Sequence, residues 1–318
     1  MKRYLFALSV IACFSMACKN NTGKTEEALD TPTTGKTTVS VDETVRPIAE
    51  AEAEIFQHQY PRAMVTLRHR SENECVQDLY KDSSQVIMIG RGLTEKEMAA
   101  FKSITFTPPH IKIATDAIAL VVNPKNRDTT FTMDAITGIL RGSITKWAQL
   151  GGGTSGDVTV VFDNANSGTV SYLLMKTGAT TMPKNAFAAK SNLEVVNYVA
   201  THENAVGVIG WSWISDSDDP TTRQYLQKTR LVSVAKGSEK EFHKPYQLNL
   251  ANGKYPLSRE VFMIQRERRS GLAAGFVSFI HGEIGQLIML KAGLYPANQD
   301  ERAIEIKEKP LGKVVEYK

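Results

Sequence analysis

A Ser-Gly-Thr turn between a predicted strand and a predicted helix is the stretch best suited to chemistry. Val158–Phe162 is a β-branched and apolar run typical of a strand, and Ser167, Gly168 and Thr169 open the helix that follows. Hydroxyls donate hydrogen bonds, glycine lets the backbone approach a ligand, and a helix start presents unpaired N–H groups with partial positive charge. The turn indicates an anion cradle, although an ordinary capped helix has the same signature.

Other polar residues follow neighbouring predicted strands. Thr44 opens the first helix, Ser71 follows the second strand in a capping box, and Arg91 follows the third. Alternating strands and helices predict a parallel α/β sheet, and such sheets bind ligands at the carboxyl ends of their strands. We therefore expect these residues, with Asp163, to face one cleft. The alternatives are a solvent pair of Arg91 with Glu95 and an Asp163 that caps its own turn.

The N-terminal region reads as an export and anchoring signal. Residues 1–17 combine a basic start with a short apolar run, which predicts a signal peptide, and Cys18 follows Ser-Met-Ala as the lipidated residue of a lipobox. Residues 18–37 are polar and predict a disordered tether. Only Cys75 then remains in the mature chain, so no disulfide is expected within it.

Composition and motifs argue against several functional classes. The formal net charge is only +4 and 42% of residues are hydrophobic, which favours a tethered globular protein over a nucleic-acid-binding one. The six histidines show no metal-ligand spacing, and Gly151–Gly153 lacks the lysine and hydroxyl of a P-loop. Neither a Gly-x-Ser-x-Gly elbow nor a His-Glu-x-x-His motif is present. We predict no enzymatic activity, no cofactor and no metal site.

Several segments, in order, resemble a known family. They are VRPIAEAEAEIFQHQYP (Val45–Pro61), IGRGLTEKE (Ile89–Glu97), ATDAIALVVNPKN (Ala114–Asn126), FTMDAITGILRGSITKWAQLGG (Phe131–Gly152), NSGT (Asn166–Thr169), VGVIGW (Val206–Trp211), YPLSREVFMI (Tyr255–Ile264) and GFVSFIHGEIGQLIMLKAGLYP (Gly275–Pro296). The chain resembles the PstS family, the phosphate-binding proteins of ABC importers, which have the type II periplasmic binding-protein fold. The resemblance covers nearly the whole mature chain.

The resemblance implies an α/β protein of two lobes, with mixed sheets flanked by helices. Residues 38–117 plus 258–318 would form lobe 1 and residues 118–257 lobe 2. Crossovers are expected near Asp116–Ala119 and Leu257–Val261. Asp116, at this hinge, would either orient Arg91 or cap a strand, and we favour the cap. By family pattern, Ser167, Gly168 and Thr169 would cradle phosphate, and Thr44 and, more loosely, Ser71 would add hydroxyls.

Two positions depart from the family pattern. Asp163 stands where many members have arginine, and Arg91 stands where some have an acidic residue. Phosphate near neutral pH carries a proton that a carboxylate can accept, whereas sulfate has none to donate. We hypothesise that Arg91 supplies charge-assisted hydrogen bonds and that Asp163 selects the protonated anion.

The resemblance implies a lipid-anchored receptor that captures inorganic phosphate and delivers it to an ABC permease. We expect a periplasm-facing monomer that contacts the membrane through its lipid alone and binds no nucleic acid. The main alternative is a phosphate or oxyanion sensor, or an envelope scaffold, that no longer serves transport. A receptor for molybdate, sulfate or a phosphonate is a further alternative.

Overall fold

The computed structural model describes residues 30–164, 166–216, 218–237, 240–266 and 270–298. The predicted signal peptide and Cys18 lie outside these residues. The strands are β1 (Gly35–Asp42), β2 (Ala63–Arg70), β3 (Val86–Ile89), β4 (His110–Val122), β5 (Thr130–Thr132), β6 (Thr159–Phe162), β7 (Ala186–Ala188), β8 (Ala205–Gly210), β9 (Arg230–Leu231), β10 (Ser233–Ala235), β11 (Ser258–Gln265) and β12 (Tyr295–Pro296). The helices are α1 (Arg46–Gln59), α2 (Glu72–Tyr80), α3 (Glu95–Ser103), α4 (Met133–Leu140), α5 (Gly168–Thr177), α6 (Asn192–Thr201), α7 (Pro220–Lys228), α8 (Gln247–Ala251), α9 (Leu272–His281) and α10 (Glu283–Lys291). Three 3-10 turns cover Glu43–Val45, Trp147–Gln149 and Trp211–Trp213.

One long strand joins two halves of a mixed sheet. The strand order is β2-β1-β3-β11-β4-β8-β6-β7, with β9 and β12 also paired to β4. Strand β4 runs antiparallel to β11 on one side and to β8 on the other, while β1–β3 and β6–β8 pair in parallel within their own halves. We call the half with β1–β3 and β11 lobe 1, and the half with β6–β8 lobe 2. The predicted crossover segments meet side by side, because Ser258 pairs with Ala117.

Each lobe has its own apolar core. In lobe 1, Phe56 of α1 packs edge-to-face on Phe276 of α9, among valines of β1. In lobe 2, Phe131 and Trp147 pack together against valines of β6 and β8. Both clusters bury aromatic and β-branched side chains whose removal from water stabilises each half by itself. The cleft between the lobes is therefore free to hold polar groups.

The apolar stretch Leu272–Leu290, whose composition is typical of one long helix, forms two helices. Gly282 lies between α9 and α10 with an extended backbone, and the two axes differ by 58°. Glycine is a poor helix residue, so the chain can bend there at little cost. Among the described residues no single helix is long and apolar enough to cross a membrane; α9 and α10 reach that length only as this bent pair.

Pairing sets the bounds of two strands in ways that apolar composition does not. The apolar stretch Leu231–Val234 is divided, because β9 pairs with β4 whereas β10 pairs with β5 in a separate two-stranded sheet. The apolar stretch Ala117–Val122 is part of the longer β4, which starts at His110. In both cases tertiary pairing sets the bounds that local composition leaves open.

The last part of the predicted tether is packed on lobe 1. Asp30 Oδ1 accepts a hydrogen bond of 2.8 Å from the backbone N–H of Leu272, at the start of α9. Strand β1 begins at Gly35, which pairs with Ala63 of β2. Residues 30–37 therefore contribute to the body of the protein.

Glu52 of α1 is a buried acid with an unusual environment. Its side chain is 0% exposed, and neither carboxylate oxygen meets a hydrogen-bond partner among the described residues. Burial raises the pKa of Glu52 to about 9, because the charged form is poorly solvated there. Glu52 is therefore protonated in the folded protein at neutral pH.

We predict that Glu52 makes the protein less stable as pH rises from about 4.5 to about 9. In that window the unfolded chain releases a proton that the folded chain keeps, so the free energy of unfolding falls by up to about 1.4 kcal/mol per pH unit. Glu52→Gln removes this contribution to the pH dependence of the free energy of unfolding. Urea denaturation at pH 5 and pH 8 should show a flatter pH dependence for Glu52→Gln than for the exposed control Glu54→Gln. Equal slopes would contradict the assignment.

Candidate functional site

The predicted Ser-Gly-Thr turn forms the start of α5, directly after β6. Ser167 is the N-cap residue, and its hydroxyl accepts a hydrogen bond of 3.4 Å from the backbone N–H of Val170. Thr169 is fully buried, and its hydroxyl has no partner among the described residues. A buried hydroxyl without a partner is costly in a folded protein, so Thr169 is a group that a ligand would satisfy.

Gly168 brings the start of α5 into direct contact with lobe 1. A methyl group added at Gly168 would overlap Asp42 Oδ2 and would lie 2.8 Å from Glu72 Oε2. Only glycine allows this approach, because every other residue carries a Cβ. The partial positive charge at the α5 N-terminus favours these carboxylates. Both carboxylates thus lie at the positive end of α5, across the interlobe cleft.

Arg259 is the buried cation of the cleft. It lies on β11 opposite Asp116 of β4, and its Nε and Nη2 donate to Asp116 Oδ2 at 3.1 and 2.9 Å. Nη1 has no partner among the described residues, and a methyl group at Gly90 would lie 2.9 Å from it. Burial alone would lower the pKa of Arg259, but Asp116 and Asp42 hold that pKa above its ordinary value. Arg259 therefore keeps its charge and has one nitrogen to offer.

Thr44 connects Arg259 to Asp42. Arg259 Nη2 donates to Thr44 Oγ1 at 2.9 Å, and that hydroxyl donates to Asp42 Oδ2 at 2.6 Å. Burial raises the pKa of Asp42 to about 6, despite the opposing effect of Arg259 and Thr44; the nearby charge of Asp163 adds to the rise. A chain of hydrogen bonds thus runs from the Asp116–Arg259 pair to the α5 N-terminus.

Arg91 is held by acidic residues of its own lobe. Its Nε donates to Glu72 Oε1 at 2.7 Å, and its Nη1 and Nη2 donate to the Glu97 carboxylate at 2.8 and 3.0 Å. Burial raises the pKa of Glu72, Arg91 opposes that rise, and the charge of Asp42 adds to it. Arg91 therefore acts on the cleft indirectly, because it offsets the negative charge of Glu72.

Ser71 and Asp163 have different surroundings. The Ser71 hydroxyl donates to Glu74 Oε2 at 2.7 Å in the predicted capping box, so its proton is used within α2. Asp163 is 1% exposed, and its oxygens have no partner of good hydrogen-bond geometry among the described residues. Burial raises the pKa of Asp163, while the nearby Ser167 hydroxyl and the backbone amide of Asn164 oppose the rise. Asp163 is thus a buried acceptor in the cluster.

The lobes are joined across the cleft by further hydrogen bonds from the 3-10 turn Trp211–Trp213. The Ser212 hydroxyl donates to the carbonyl of Thr44 at 3.0 Å, and the Trp213 indole donates to the carbonyl of Glu43 at 3.0 Å. The Trp211 indole donates to the carbonyl of Gly293 at 3.2 Å. These bonds hold lobe 2 against lobe 1 beside the cluster.

The structure thus brings most of the predicted residues to one place. Thr44, Asp163, Ser167, Gly168 and Thr169 belong to the cluster directly, Arg91 belongs to it through Glu72, and the Ser71 hydroxyl points into its own cap. Within the described ranges, no group of three or more His, Cys, Asp or Glu residues could hold a metal ion.

Sequence reasoning gave no binding-site role to four members: Asp42, Glu72, Asp116 and Arg259. The prediction that Asp116 caps a strand was wrong, because it pairs with Arg259. A charged residue within each of the two apolar crossover segments was a usable signal, because buried opposite charges must pair. Asp42 and Glu72 are acidic residues at helix starts, and such residues usually interact favourably with the helix dipole and have no further role.

Comparison with known proteins agrees with the fold. The model of the PBP superfamily domain matches residues 26–283. The phosphate-binding protein PstS of Bacillus subtilis is 22% identical over 304 residues, covering 93% of this chain and 94% of that protein. PstS of Pseudomonas aeruginosa is 24% identical over 278 residues, which cover 80% of this chain and 81% of that protein.

Solved structures give the same result. A Clostridium perfringens protein described as a phosphate ABC transporter substrate-binding protein, with bound phosphate, has a TM-score of 0.71 at 25% identity. The match covers 83% of this chain and 100% of that one. An ABC-type phosphate transport receptor of Vibrio cholerae has a TM-score of 0.65 at 24% identity. That match covers 82% of this chain and 100% of the receptor chain.

The chain belongs to the PBP superfamily of two-lobed α/β binding proteins. Within that superfamily it is PstS-like, as its segments predicted, and the predicted type II fold with a mixed sheet is confirmed.

We predict that Arg259→Met lowers the free energy of unfolding by about 3–5 kcal/mol, because it leaves Asp116 buried without its partner. Adding Asp116→Asn should recover part of that loss, because no lone charge then remains. Urea denaturation of the two single variants and the double variant measures both effects.

The exposed pair Lys112–Glu260 lies on the same two strands and serves as the matched control. Its side chains are 38% and 53% exposed and 2.7 Å apart. Lys112→Met should cost at most about 1 kcal/mol. A similar cost at both pairs would contradict the importance given to the buried one.

Proposed function

We propose that this protein is the solute-binding receptor of an ABC importer and captures inorganic phosphate between its lobes. The observation that carries the proposal is a pair of buried donors without partners among the described residues, the Thr169 hydroxyl and Arg259 Nη1, in a cluster beside the α5 N-terminus. The PstS relatives and the phosphate-bound Clostridium perfringens structure support the same ligand. The family consists of solute-binding proteins and not of enzymes.

The proposed binding chemistry uses donors from both lobes. Lobe 2 offers the backbone N–H groups of α5 and the hydroxyls of Ser167 and Thr169. Lobe 1 offers Arg259 Nη1 and also Thr44, whose hydroxyl must turn from Asp42 Oδ2 to donate to the anion. Bonds from a guanidinium or a helix terminus to an anion are stronger than neutral ones, and exclusion of water strengthens them further. In this proposal Arg259 has the role that the sequence gave to Arg91, which acts on the site through Glu72.

Asp163 supplies selectivity in this proposal. It is buried within the cluster and accepts the proton of monohydrogen or dihydrogen phosphate, which sulfate cannot offer. Ser71 positions the start of α2 through Glu74 and thereby places Glu72. The ligand-binding set is then Thr44, Arg259, Asp163, Ser167, Gly168 and Thr169, with Ser71 and Arg91 behind it.

Export and anchoring complete the proposal. Residues 1–17 direct the chain across the membrane, Cys18 carries the lipid, and Asp30 contacts the start of α9. The PstS relatives are extracytoplasmic proteins of ABC transporters. The protein then works as a monomer with lobes of residues 38–117 plus 258–318 and 118–257, and it presents phosphate to a permease.

Isothermal titration of the full-length protein with phosphate, sulfate and molybdate tests the function. Saturable heat with phosphate, and much weaker heat with sulfate, is the expected result. Absence of phosphate binding would overturn the proposal. Tight molybdate binding without phosphate binding would identify molybdate, and not phosphate, as the ligand.

We predict that Thr169→Val weakens phosphate binding by about tenfold or more, because a hydrogen bond to a charged ligand is lost. Thr177→Val is the matched control: Thr177 is a buried threonine of the same helix, and its hydroxyl donates to Leu173 O at 2.7 Å. Its affinity should be that of the wild type. Equal effects of the two variants in the titration would refute a ligand role for Thr169.

We predict that Asp163→Asn reduces the preference for phosphate over sulfate by about tenfold or more, because an amide donates to either anion. Asp128→Asn is the control, because Asp128 is a buried carboxylate of lobe 2 that accepts from the Thr154 backbone, outside the cluster. Unchanged selectivity in Asp163→Asn would rule out this role.

A further inference from the structure

The cleft holds more buried negative charge than positive charge. Asp42, Glu72, Asp116 and Asp163 are each at most 2% exposed. The cations among them are Arg259, which is bonded to Asp116, and Arg91, which is shared between Glu72 and Glu97. Carboxylates therefore outnumber guanidiniums before any anion enters the site.

Two of these carboxylates lie where an anion would bind. Asp42 Oδ2 and Glu72 Oε2 are the atoms nearest to the Cβ position of Gly168, at the α5 N-terminus. A phosphate that uses the α5 N–H groups must displace these oxygens or share the space with them. Three negative groups cannot share a dehydrated space without additional positive charge, because like charges repel strongly at low dielectric.

The surroundings of Asp42 offer no further cation among the described residues. Arg259 of β11 already donates to Asp116 and Thr44, and the remaining ionisable groups that act on Asp42 or are influenced by it are Asp163, Glu72 and Cys75. Burial raises the pKa of the Cys75 thiol well above its ordinary value, so that thiol is neutral. Arg91 and Arg259 act on Glu72, and Arg91 is also bound by Glu97. The charge that can still enter this cluster is the proton.

We propose that phosphate capture is coupled to proton uptake by Asp42 and Glu72. This inference rests on the proposed function. A proton from the solvent forms an O–H bond on each carboxylate as the anion reaches α5, so two repelling groups become two hydrogen-bond donors to phosphate. The groups are poised for this step, because burial raises the pKa of both, that of Asp42 to about 6.

The coupling predicts a receptor that binds better in mildly acidic medium. By linkage, the affinity falls by up to tenfold for every unit that the pH rises above the carboxylate pKa, for each proton that binding takes up. Phosphate itself also titrates near neutral pH, so the contribution of the protein must be separated from that of the ligand. Variants of the two carboxylates provide that separation, because they leave the ligand unchanged.

Titration calorimetry of the full-length protein with inorganic phosphate at pH 5.5, 6.5 and 7.5, in pairs of buffers of different ionisation enthalpy, counts the protons directly. The wild type should take up protons at pH 7.5, and its affinity should fall by at least tenfold between pH 5.5 and 7.5. Asp42→Asn and Glu72→Gln should each take up fewer protons, by about one, and should bind phosphate at pH 7.5 at least as tightly as the wild type.

The control variant is Asp128→Asn, which neutralises a buried carboxylate outside the cluster and should match the wild type in affinity and proton count. The two variants of the cluster are independent, so failure of one to fold leaves the other as the test. Phosphate binding without proton uptake in the wild type, or with the same uptake in both variants, would overturn the coupling and leave the function intact. Absence of phosphate binding at every pH would overturn the function itself.

Discussion

The buried pair between Asp116 and Arg259 is the interaction on which the cleft depends. It joins the two strands that run between the lobes, and its hydrogen bonds continue through Thr44 to Asp42. A buried guanidinium is strongly destabilising unless carboxylates pair with it, and the nearby carboxylates are offset by the same guanidinium. The positions of Thr44, Asp42 and the α5 N-terminus therefore follow from one ion pair at the hinge.

This arrangement explains how the cleft can contain polar groups between two apolar cores. Each lobe is stabilised by its own buried aromatic and β-branched residues, so the interface does not have to supply the stability of either half. The interface can then hold groups that are imperfectly paired, such as Thr169 and Asp163. Imperfect pairing in a folded protein is a common property of binding sites, because the ligand completes it.

Much of the fold could be predicted from sequence, because its signals are local. The capping boxes at Ser71 and Thr94 mark the starts of α2 and α3, and the apolar run Val86–Ile89 is β3 to the residue. The Ser-Gly-Thr turn was recognisable because N-cap chemistry requires those residue types. Local signals could not show that the helix after Leu272 bends at Gly282, since that depends on what the two halves pack against.

The charged part of the site was harder to predict for a physical reason. Arg259 and Asp116 are 143 residues apart along the chain, and only the pairing of β11 with β4 makes them neighbours. Arg91 looked like the cation of the cleft because it follows a strand at the right edge. Local sequence could not show that Arg91 forms ion pairs with Glu72 and Glu97, because these side chains come from two helices of the same lobe.

The 3-10 turn at Trp211–Trp213 links the end of β8 to lobe 1. Two of its three bonds to lobe 1 have indole N–H donors, which are seldom left unsatisfied when buried. If these bonds break when the lobes separate, each opening carries a cost that is independent of the contacts of the enclosed solute. A partner that contacts both lobes and weakens these bonds would then hasten unloading without touching the bound molecule.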